Sequence, residues 1–506
     1  MHFELNTHMP NKSDESYGHV LKYTGIFGGV QGLNILISLV RNKIVAKLLG
    51  PGGMGLTALF NSSVNFISQS TNLGISFSAV RHVSELFEQG DERKLEHYIK
   101  VVRVWSLLTA LLGMFVCIVA GPLFSKYTFS WGDHTLHFVM LSPAVALLAI
   151  TGGETAILKG VRRLKSLAAI QIYSVFMALV VSVPLFYFFN QTAIVPVIVL
   201  MALISMLLTI RYSYKLYPLR LSGWRNILGE GMEMVRLGVA FVMAGIFGSG
   251  ADMLIRSYLN VTSDLDMVGF YNVGFIMTMT YGGMVFSAME TDYFPRLSAA
   301  GADIPHCNLM VNRQIEISLL IISPMLVAML FFTPILIPLL FTSDFLPVVD
   351  MMRLTTLALY LRAIKLPISY MTLARGDSLS YMLMEILYDA CMVSFVLLGF
   401  RYLGLEGTGL GLLFAAVFDF FMLTAYTGFK YHFRLTRSIA IYAVPQILLG
   451  CLGYVAVRTL TGMTYWAVGA LIFALSLSFS LYVIRRKTSL WDKLAQRIKQ
   501  QFNRHA

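Results

Sequence analysis

Charge is scarce in this sequence. Only 13% of its 506 residues are Asp, Glu, Lys or Arg, and 57% are hydrophobic. A soluble domain carries about 25% charged residues. The shortfall, with a mean hydropathy of +0.69, excludes an ordinary soluble fold. Short alternating runs are missing too, so a β-barrel is excluded, since its strands would show about 10 residues of alternation. Cys117, Cys307, Cys391 and Cys451 stand far apart in or beside apolar runs. They form neither a disulfide framework nor a metal motif, and read as small buried side chains. The first 18 residues are polar and the first apolar run is too long and glycine-rich for a signal core, so no cleavable signal peptide is expected. No gap between apolar runs exceeds about 25 residues, against a usual loop of about 5. A membrane enzyme of glycan assembly would need a sizeable loop carrying acidic or histidine groups, so no catalytic residue is expected. No nucleotide loop is present either: Gly50-Pro51-Gly52-Gly53 lacks a following Lys-Ser/Thr.

What is there is a series of apolar runs about 20 residues long, the length of a transmembrane helix. Fourteen are expected, near 21–47, 55–79, 104–125, 135–158, 166–189, 193–210, 236–259, 268–290, 315–341, 351–374, 380–400, 407–429, 438–459 and 464–484. The cations between them alternate. Arg81, Arg93, Lys94, Lys100 and Arg103 follow span two. Lys159, Arg162, Arg163 and Lys165 follow span four. Arg211, Lys215, Arg220 and Arg225 follow span six. Lys430, Arg434 and Arg437 follow span twelve, whereas Lys126, Arg401 and Arg458 are almost alone in the intervening gaps. The positive-inside rule then places both termini in the cytoplasm, which requires an even number of spans. The net charge of +12 belongs to these loops, so no nucleic-acid partner is expected. The fold class is an all-α polytopic membrane protein.

The chain repeats itself. GMGLTALFNSSVNF opens span two and MVGFYNVGFIMT opens span eight, aligning Gly55 with Gly269 and Leu56 with Phe270. Six spans separate the copies, so both run in the same direction, a parallel repeat. This divides the chain into a cytoplasmic start (1–20), a first lobe (21–210) and a cytoplasmic linker (211–235). A second lobe (236–429), two extra spans (430–485) and a basic tail (486–506) follow. In the linker, Trp224, Ile227, Leu228 and Met232 read as a short interfacial helix. In the tail, Trp491, Leu494, Ile498 and Phe502 at helical spacing read as an amphipathic helix on an anionic leaflet. Pro143, Pro184, Pro196, Pro324, Pro334, Pro367 and Pro445 interrupt spans. Glycines gather in span one (Gly25, Gly28, Gly29, Gly32) and span seven (Gly238, Gly245, Gly248, Gly250). Ordinary membrane-helix composition and bending during transport both account for them.

Ionisable residues inside spans are functional candidates. They are Arg41, Lys43, Lys47, Glu154, Asp252, Arg256, Glu290, Glu316, Arg362, Lys365, Glu385, Asp389 and Asp419. Asp252 and Arg256 are i, i+4 and can pair. Arg362 and Lys365 are i, i+3; like charges on one face need an outside partner, which Glu385, Asp389 or a substrate anion can supply. Arg41 and Lys43 lie about 200° apart around a helix. Arg41, about 10 Å from the span's end, is the better lumen candidate, and Lys47 suits the interface. Asn61, Ser62, Asn65, Gln69 and Ser70 form a polar stripe on span two, either a wet cavity face or a hydrogen-bonded seam between helices.

Four stretches together carry a resemblance: VRNKIVAKLLGPGGMGL (Val40–Leu56), YNVGF (Tyr271–Phe275), FPRLS (Phe294–Ser298) and LEGTGLG (Leu405–Gly411). With fourteen spans and a cytoplasmic start, the sequence resembles the bacterial polysaccharide flippases. These O-antigen and capsule repeat-unit translocases share a superfamily with multidrug-and-toxin exporters and the peptidoglycan lipid flippase. The resemblance implies two six-helix lobes in a V-shape that open alternately to each side of the bacterial inner membrane. It implies an undecaprenyl-diphosphate oligosaccharide as substrate, membrane lipids and polysaccharide polymerase machinery as partners, and no cofactor or metal. The peptidoglycan flippase carries an Arg-Asp-x-Ile-Val-Ala-Arg run in span one. Arg41 matches its first arginine and Lys47 its second, while Asn42 replaces the Asp. That family's cation early in span eight is missing, because Gly274–Thr278 is apolar. The implied cationic cavity is therefore Arg41, Lys43, Arg256, Arg362 and Lys365, with Glu154, Asp252, Glu290, Glu385, Asp389 and Asp419 as ion-coupling groups or charge partners. A cation-coupled multidrug exporter of the same fold is the alternative. It would place a carboxylate in spans one or two, which hold no Asp or Glu.

Overall fold

The computed structural model describes residues 12–219, 227–283, 286, 293, 296–298, 300 and 303–487. Glu290, Trp224 and the tail from 488 on lie outside the described residues, so the expectations placed on them are not addressed. The described chain is helical, with no strand among the described residues.

The first long helix, α1 (Lys12–Thr71), holds two arms. Gly50 divides them, with φ 66° and ψ −175°. That left-handed value suits a residue without Cβ. Pro51 opens the second arm, where its missing N–H leaves no helical bond unmade. The expected second span is broken at residues 72–74. Leu73 (φ 50°) and Gly74 (φ 77°) are left-handed, and the Asn72 amide bonds Ser76 Oγ at 2.9 Å. The chain resumes as α2 (Ile75–Gln89).

The next helices are α3 (Glu92–Thr128), α4 (Thr135–Gly160), α5 (Leu164–Phe189) and α6 (Ile194–Leu216). They are followed by α7 (Ile227–Thr262) and α8 (Leu265–Phe275), which runs into a wide π-turn, Ile276–Gly282. Then come α9 (Ile304–Leu340), α10 (Val348–Ala374) and α11 (Ser378–Tyr431). The last pair is α12 (Arg437–Thr459) and α13 (Gly462–Lys487). Helix α11 also holds two arms, turned at Gly404 (φ 59°, ψ −141°). Its arms close tightly, because a Cβ at Gly407 would lie 1.9 Å from the Gly399 carbonyl oxygen. Apart from the break at residues 72–74 and a few end residues, the fourteen expected spans fall on helix as far as their residues are described.

Seven described segments are long and apolar enough to cross a membrane: α3, α4, α5–α6, α9, α11, α12 and α13. The chain is a multi-pass membrane protein. The polar and charged candidates Arg41, Asn61, Asn65 and Gln69 lie on α1, Asp252 and Arg256 on α7, and Arg362 and Lys365 on α10.

The two copies of the repeat meet face to face. A Cβ on Gly55 would lie 2.0 Å from the Leu265 carbonyl oxygen, and a Cβ on Gly269 would lie 2.1 Å from the Pro51 carbonyl oxygen. Pro51 and Leu265 hold the same register in their copies as Gly55 and Gly269. Residue i of one copy therefore touches residue j of the other, and j touches i, the signature of a two-fold contact. The Gly50–Gly53 turn rests on the start of α8, with the Asp266 carboxylate against Gly52. Burial and the nearby Asp264 raise the Asp266 pKa, opposed by a backbone bond from Gly52. Around this contact lies one large core drawing on α1, α3, α4, α7, α8, α10 and α11. Helices α12 and α13 attach through α9, where Tyr465 donates to the Phe331 carbonyl at 2.7 Å.

Candidate functional site

Helix α11 carries Tyr381, Glu385, Tyr388, Asp389 and Met392 at i, i+4, i+7, i+8 and i+11. That spacing puts them on one face. The face meets α7, α8 and α10 around a cavity of about 430 Å³, lined also by Gly248, Asp252, Tyr271, Met279, Arg362, Lys365, Tyr370 and Asp419. Buried charge is costly unless paired, and the cavity's charges are paired unequally.

Lys365 Nζ lies 2.7 Å from Asp419 Oδ2 and 3.7 Å from Glu385 Oε1. Its ammonium stands 4.9 Å from the centre of the Tyr388 ring. Arg256 does not itself line the cavity; it forms an ion pair with Asp252, which does, one turn earlier. It also donates from Nη2 to Asn272 Oδ1 at 3.2 Å, which ties α7 to α8. Arg362 differs from both. Its Nη1 donates to the Met279 carbonyl at 3.1 Å, and its guanidinium stands 5.9 Å from the Phe286 ring centre. Met279 lies in the π-turn, where the shifted bonding frees a carbonyl. Among the described residues Arg362 has no carboxylate partner. The converse holds for Asp389, which is 8% exposed and has neither an ion pair nor a hydrogen bond among the described residues. Among the described residues the cavity therefore keeps one cation and one acidic group without an ion pair, on α10 and α11.

The N-terminal candidates lie elsewhere. Arg41 Nε donates to Ser182 Oγ of α5 at 3.0 Å. Lys43 is exposed and donates to the Pro338 and Leu339 carbonyls at 3.2 and 2.6 Å. It thereby caps the C-terminal end of α9, where a cation is favoured, and does not line the cavity. Glu154 is sealed between α3, α4 and α6. Arg103 holds both its oxygens, at 2.8 and 3.3 Å, and Ser213 Oγ donates at 2.5 Å. Arg103 and Glu154 side chains are 7% and 3% exposed. Glu316 accepts from Ser438 Oγ at 2.5 Å, joining α9 to α12.

The polar stripe of span two divides. Ser62 and Ser70 bond back to carbonyls of their own helix, Leu59 at 2.9 Å and Phe66 at 2.8 Å. Asn61, Asn65 and Gln69 are exposed, with no hydrogen bond among the described residues. Among the described residues this face is therefore not a hydrogen-bonded seam between helices.

Three features escaped sequence reasoning. Arg103 reads as a loop cation because the apolar run starts just after it, yet it is the partner a buried Glu154 requires. The cavity tyrosines Tyr271, Tyr381 and Tyr388 stand out only once the α11 register is known. The third is the clasp of Asp377. Its carboxylate caps α11 through the Ser380 N–H at 3.3 Å and takes bonds from Lys430 and Tyr431 at the helix's far end. Burial alone would raise the Asp377 pKa, but bonds from Lys430, Tyr431 and Ser380 outweigh it and hold the carboxyl well below the usual range.

The sequence profile of the polysaccharide biosynthesis protein family matches residues 44–350. No curated protein matches the sequence. Among solved structures, the lipid II flippase MurJ in an inward closed conformation superimposes with a TM-score of 0.72 at 14% identity, over 91% of this chain and 99% of that one. An inward-facing multidrug resistance MATE family transporter of the MOP superfamily gives 0.65 at 16% identity, over 85% of this chain and 96% of that one. A MOP superfamily transporter from Pyrococcus furiosus, described as having a binding pocket of reverse polarity, gives 0.56 at 15% identity, over 87% and 95%. At these identities the likeness is one of fold.

Proposed function

Because this chain belongs to the polysaccharide biosynthesis protein family, we propose that it is a flippase for lipid-linked oligosaccharides. It would carry undecaprenyl-diphosphate-linked repeat units of a surface glycan, such as O-antigen or capsule, from the inner to the outer leaflet of the bacterial inner membrane. Both termini would face the cytoplasm. The protein would act by alternating access between two six-helix lobes, related by the two-fold contact at Gly55 and Gly269, and would not be an enzyme.

The observation that carries this reading is Arg362, a cation on a mid-span cavity wall that has no carboxylate partner among the described residues. A sugar diphosphate cannot cross about 30 Å of hydrocarbon unaided. A guanidinium offers it two parallel hydrogen bonds, and the carbonyl of Met279 is a weak competitor for that fork. Lys365 and Arg256 are held by Asp419, Glu385 and Asp252, so they tune the field around the site without binding the anion tightly. Asn61, Asn65 and Gln69 would line the water-filled path, with Arg41 nearer its end. Glu385 and Asp389 can accept bonds from sugar hydroxyls, and Tyr381 and Tyr388 offer ring faces. The MurJ fold likeness supports a lipid head group as cargo. The multidrug exporter is disfavoured because spans one and two hold no carboxylate to exchange for a cationic drug.

The test is genetic. A strain lacking the gene should lose surface polysaccharide and regain it with the wild-type gene. Arg362→Ala and Arg41→Ala should each fail to restore it at normal protein level and membrane localisation. Full polysaccharide output from Arg362→Ala would sink the site, and gained drug resistance without polysaccharide would favour the exporter.

A further inference from the structure

A second cavity lies on the other side of the α7–α11 contact. Its volume is about 540 Å³, and its lining runs from Phe66 of α1 and Phe124 of α3 to Phe247 and Ala251 of α7 and Val393 of α11. Asp389 is its only ionisable carboxyl among the described lining residues, and Asp389 also lines the polar cavity. The groove is open on its outer side, since Leu123, Tyr127, Phe247 and Leu254 are 57%, 65%, 41% and 60% exposed.

Helices α3 and α7 are tied together on both sides of this groove. At one end Trp105 Nε1 donates to the Ile227 carbonyl at 3.1 Å, with Gly231 packed on the indole. At the other, Asn260 Nδ2 donates to the Thr128 carbonyl at 2.8 Å. Between the ties the helices part, and the opening reaches Asp389, about 14 Å along α11 from Ser380. That depth is within the hydrocarbon layer. A membrane phospholipid keeps its polar group at the surface, so its chains have no reason to meet a polar cavity there. An amphiphile whose head group has been drawn into the protein meets both at once.

We propose that this groove, formed by α1, α3, α7 and α11, seats the hydrocarbon tail of the lipid-linked substrate while its head group occupies the Arg362 cavity. The inference rests on the flippase reading and adds the tail site to it. Asp389 marks the boundary between the two. With no ion pair or hydrogen bond among the described residues, it offers a phosphate no donor to match the Arg362 guanidinium, which keeps the diphosphate on the Arg362 side and leaves the seam to uncharged chain. Gly248 faces it, with room for a Cβ 3.5 Å from Asp389 Oδ2, so the seam is narrow and its α7 wall small.

The test fills the groove from its exposed edge. Ala390→Trp and Leu254→Trp alter exposed positions, which spares the core. Each is reconstituted at full length into vesicles holding either the undecaprenyl-diphosphate oligosaccharide or a geranyl analogue with the same head group. Both variants should slow transport of the long-tailed lipid about tenfold and leave the geranyl analogue unchanged. Equal slowing of both lipids, as expected if bulk phospholipid chains fill the groove, overturns the proposal, and so does undiminished transport of the long-tailed lipid. Wild-type protein that moves neither lipid overturns the flippase reading itself.

Discussion

The buried charges of helices α1–α6 and those of helices α7–α11 are arranged in opposite ways. In the first group Glu154 has both oxygens held by Arg103, a third bond from Ser213, and almost no exposure. In the second group Lys365 is shared between two carboxylates, Arg362 rests on a carbonyl, and Asp389 rests on nothing charged among the described residues. Closed pairing suits a rigid joint, since a sealed pair cannot exchange partners cheaply. Incomplete pairing around a cavity suits a ligand, since a visiting group can complete it. The two halves are built from repeated elements, yet the sealed Arg103–Glu154 pair reads as scaffold and the α10–α11 cavity as site.

The largest effect that would break this comparison is at the closed pair. Arg103→Ala should cost about 3–5 kcal/mol of stability by stranding a buried carboxylate, read as a lower thermal midpoint in detergent. Arg103→Met with Glu154→Leu should recover most of that loss. A destabilised double variant would show that the pair does more than neutralise itself. Next comes Arg362→Gln, which should leave the thermal midpoint unchanged and lower head-group affinity about 10- to 100-fold, the effect of losing a hydrogen bond to a charged group. Arg362→Lys should recover part of it, because a point charge replaces the fork. A smaller effect is expected at Asp389→Asn. Removing a buried carboxyl that has no ion pair among the described residues should leave stability unchanged or slightly raised, whereas Asp419→Asn should lower it by freeing Lys365.

The smallest effect sharpens the comparison from outside the spans. The Asp377 carboxyl is held below its ordinary value in the folded protein. Its contribution is therefore present above the unfolded-state pKa, about 4, and is lost as pH falls below it. Wild-type thermal stability should drop on acidification through that range, and Asp377→Asn should flatten the drop. An identical acid profile for both would remove Asp377 from the account.

Much of the fold was legible because run length and loop charge report directly on a bilayer. Gly50 was legible as a turn, since glycine beside proline ends a helix in any context. The Asp252–Arg256 pair followed from helical spacing alone. The break at residues 72–74 was not legible, because Leu73 adopts a left-handed conformation that its residue type does not announce. The family resemblance puts Lys43 with the cavity. Its seat on the Pro338 and Leu339 carbonyls depends on where α9 ends in space, which no local pattern encodes. The i, i+3 spacing of Arg362 and Lys365 calls for an outside partner, and Glu385 is one of those the sequence offers. The nearer partner, Asp419, comes from the second arm of α11, and only the turn at Gly404 brings it there.

The most direct test of the central claim is a reconstituted flipping measurement. Fluorescent undecaprenyl-diphosphate oligosaccharide is placed in the inner leaflet of vesicles, and its head groups are scored for reaction with an impermeant external reagent. The account predicts that wild-type protein exposes the inner pool, that the Arg103→Met, Glu154→Leu double variant does so too, and that Arg362→Ala does not. Exposure by Arg362→Ala at the wild-type rate, or none by wild-type protein beyond empty vesicles, would contradict it.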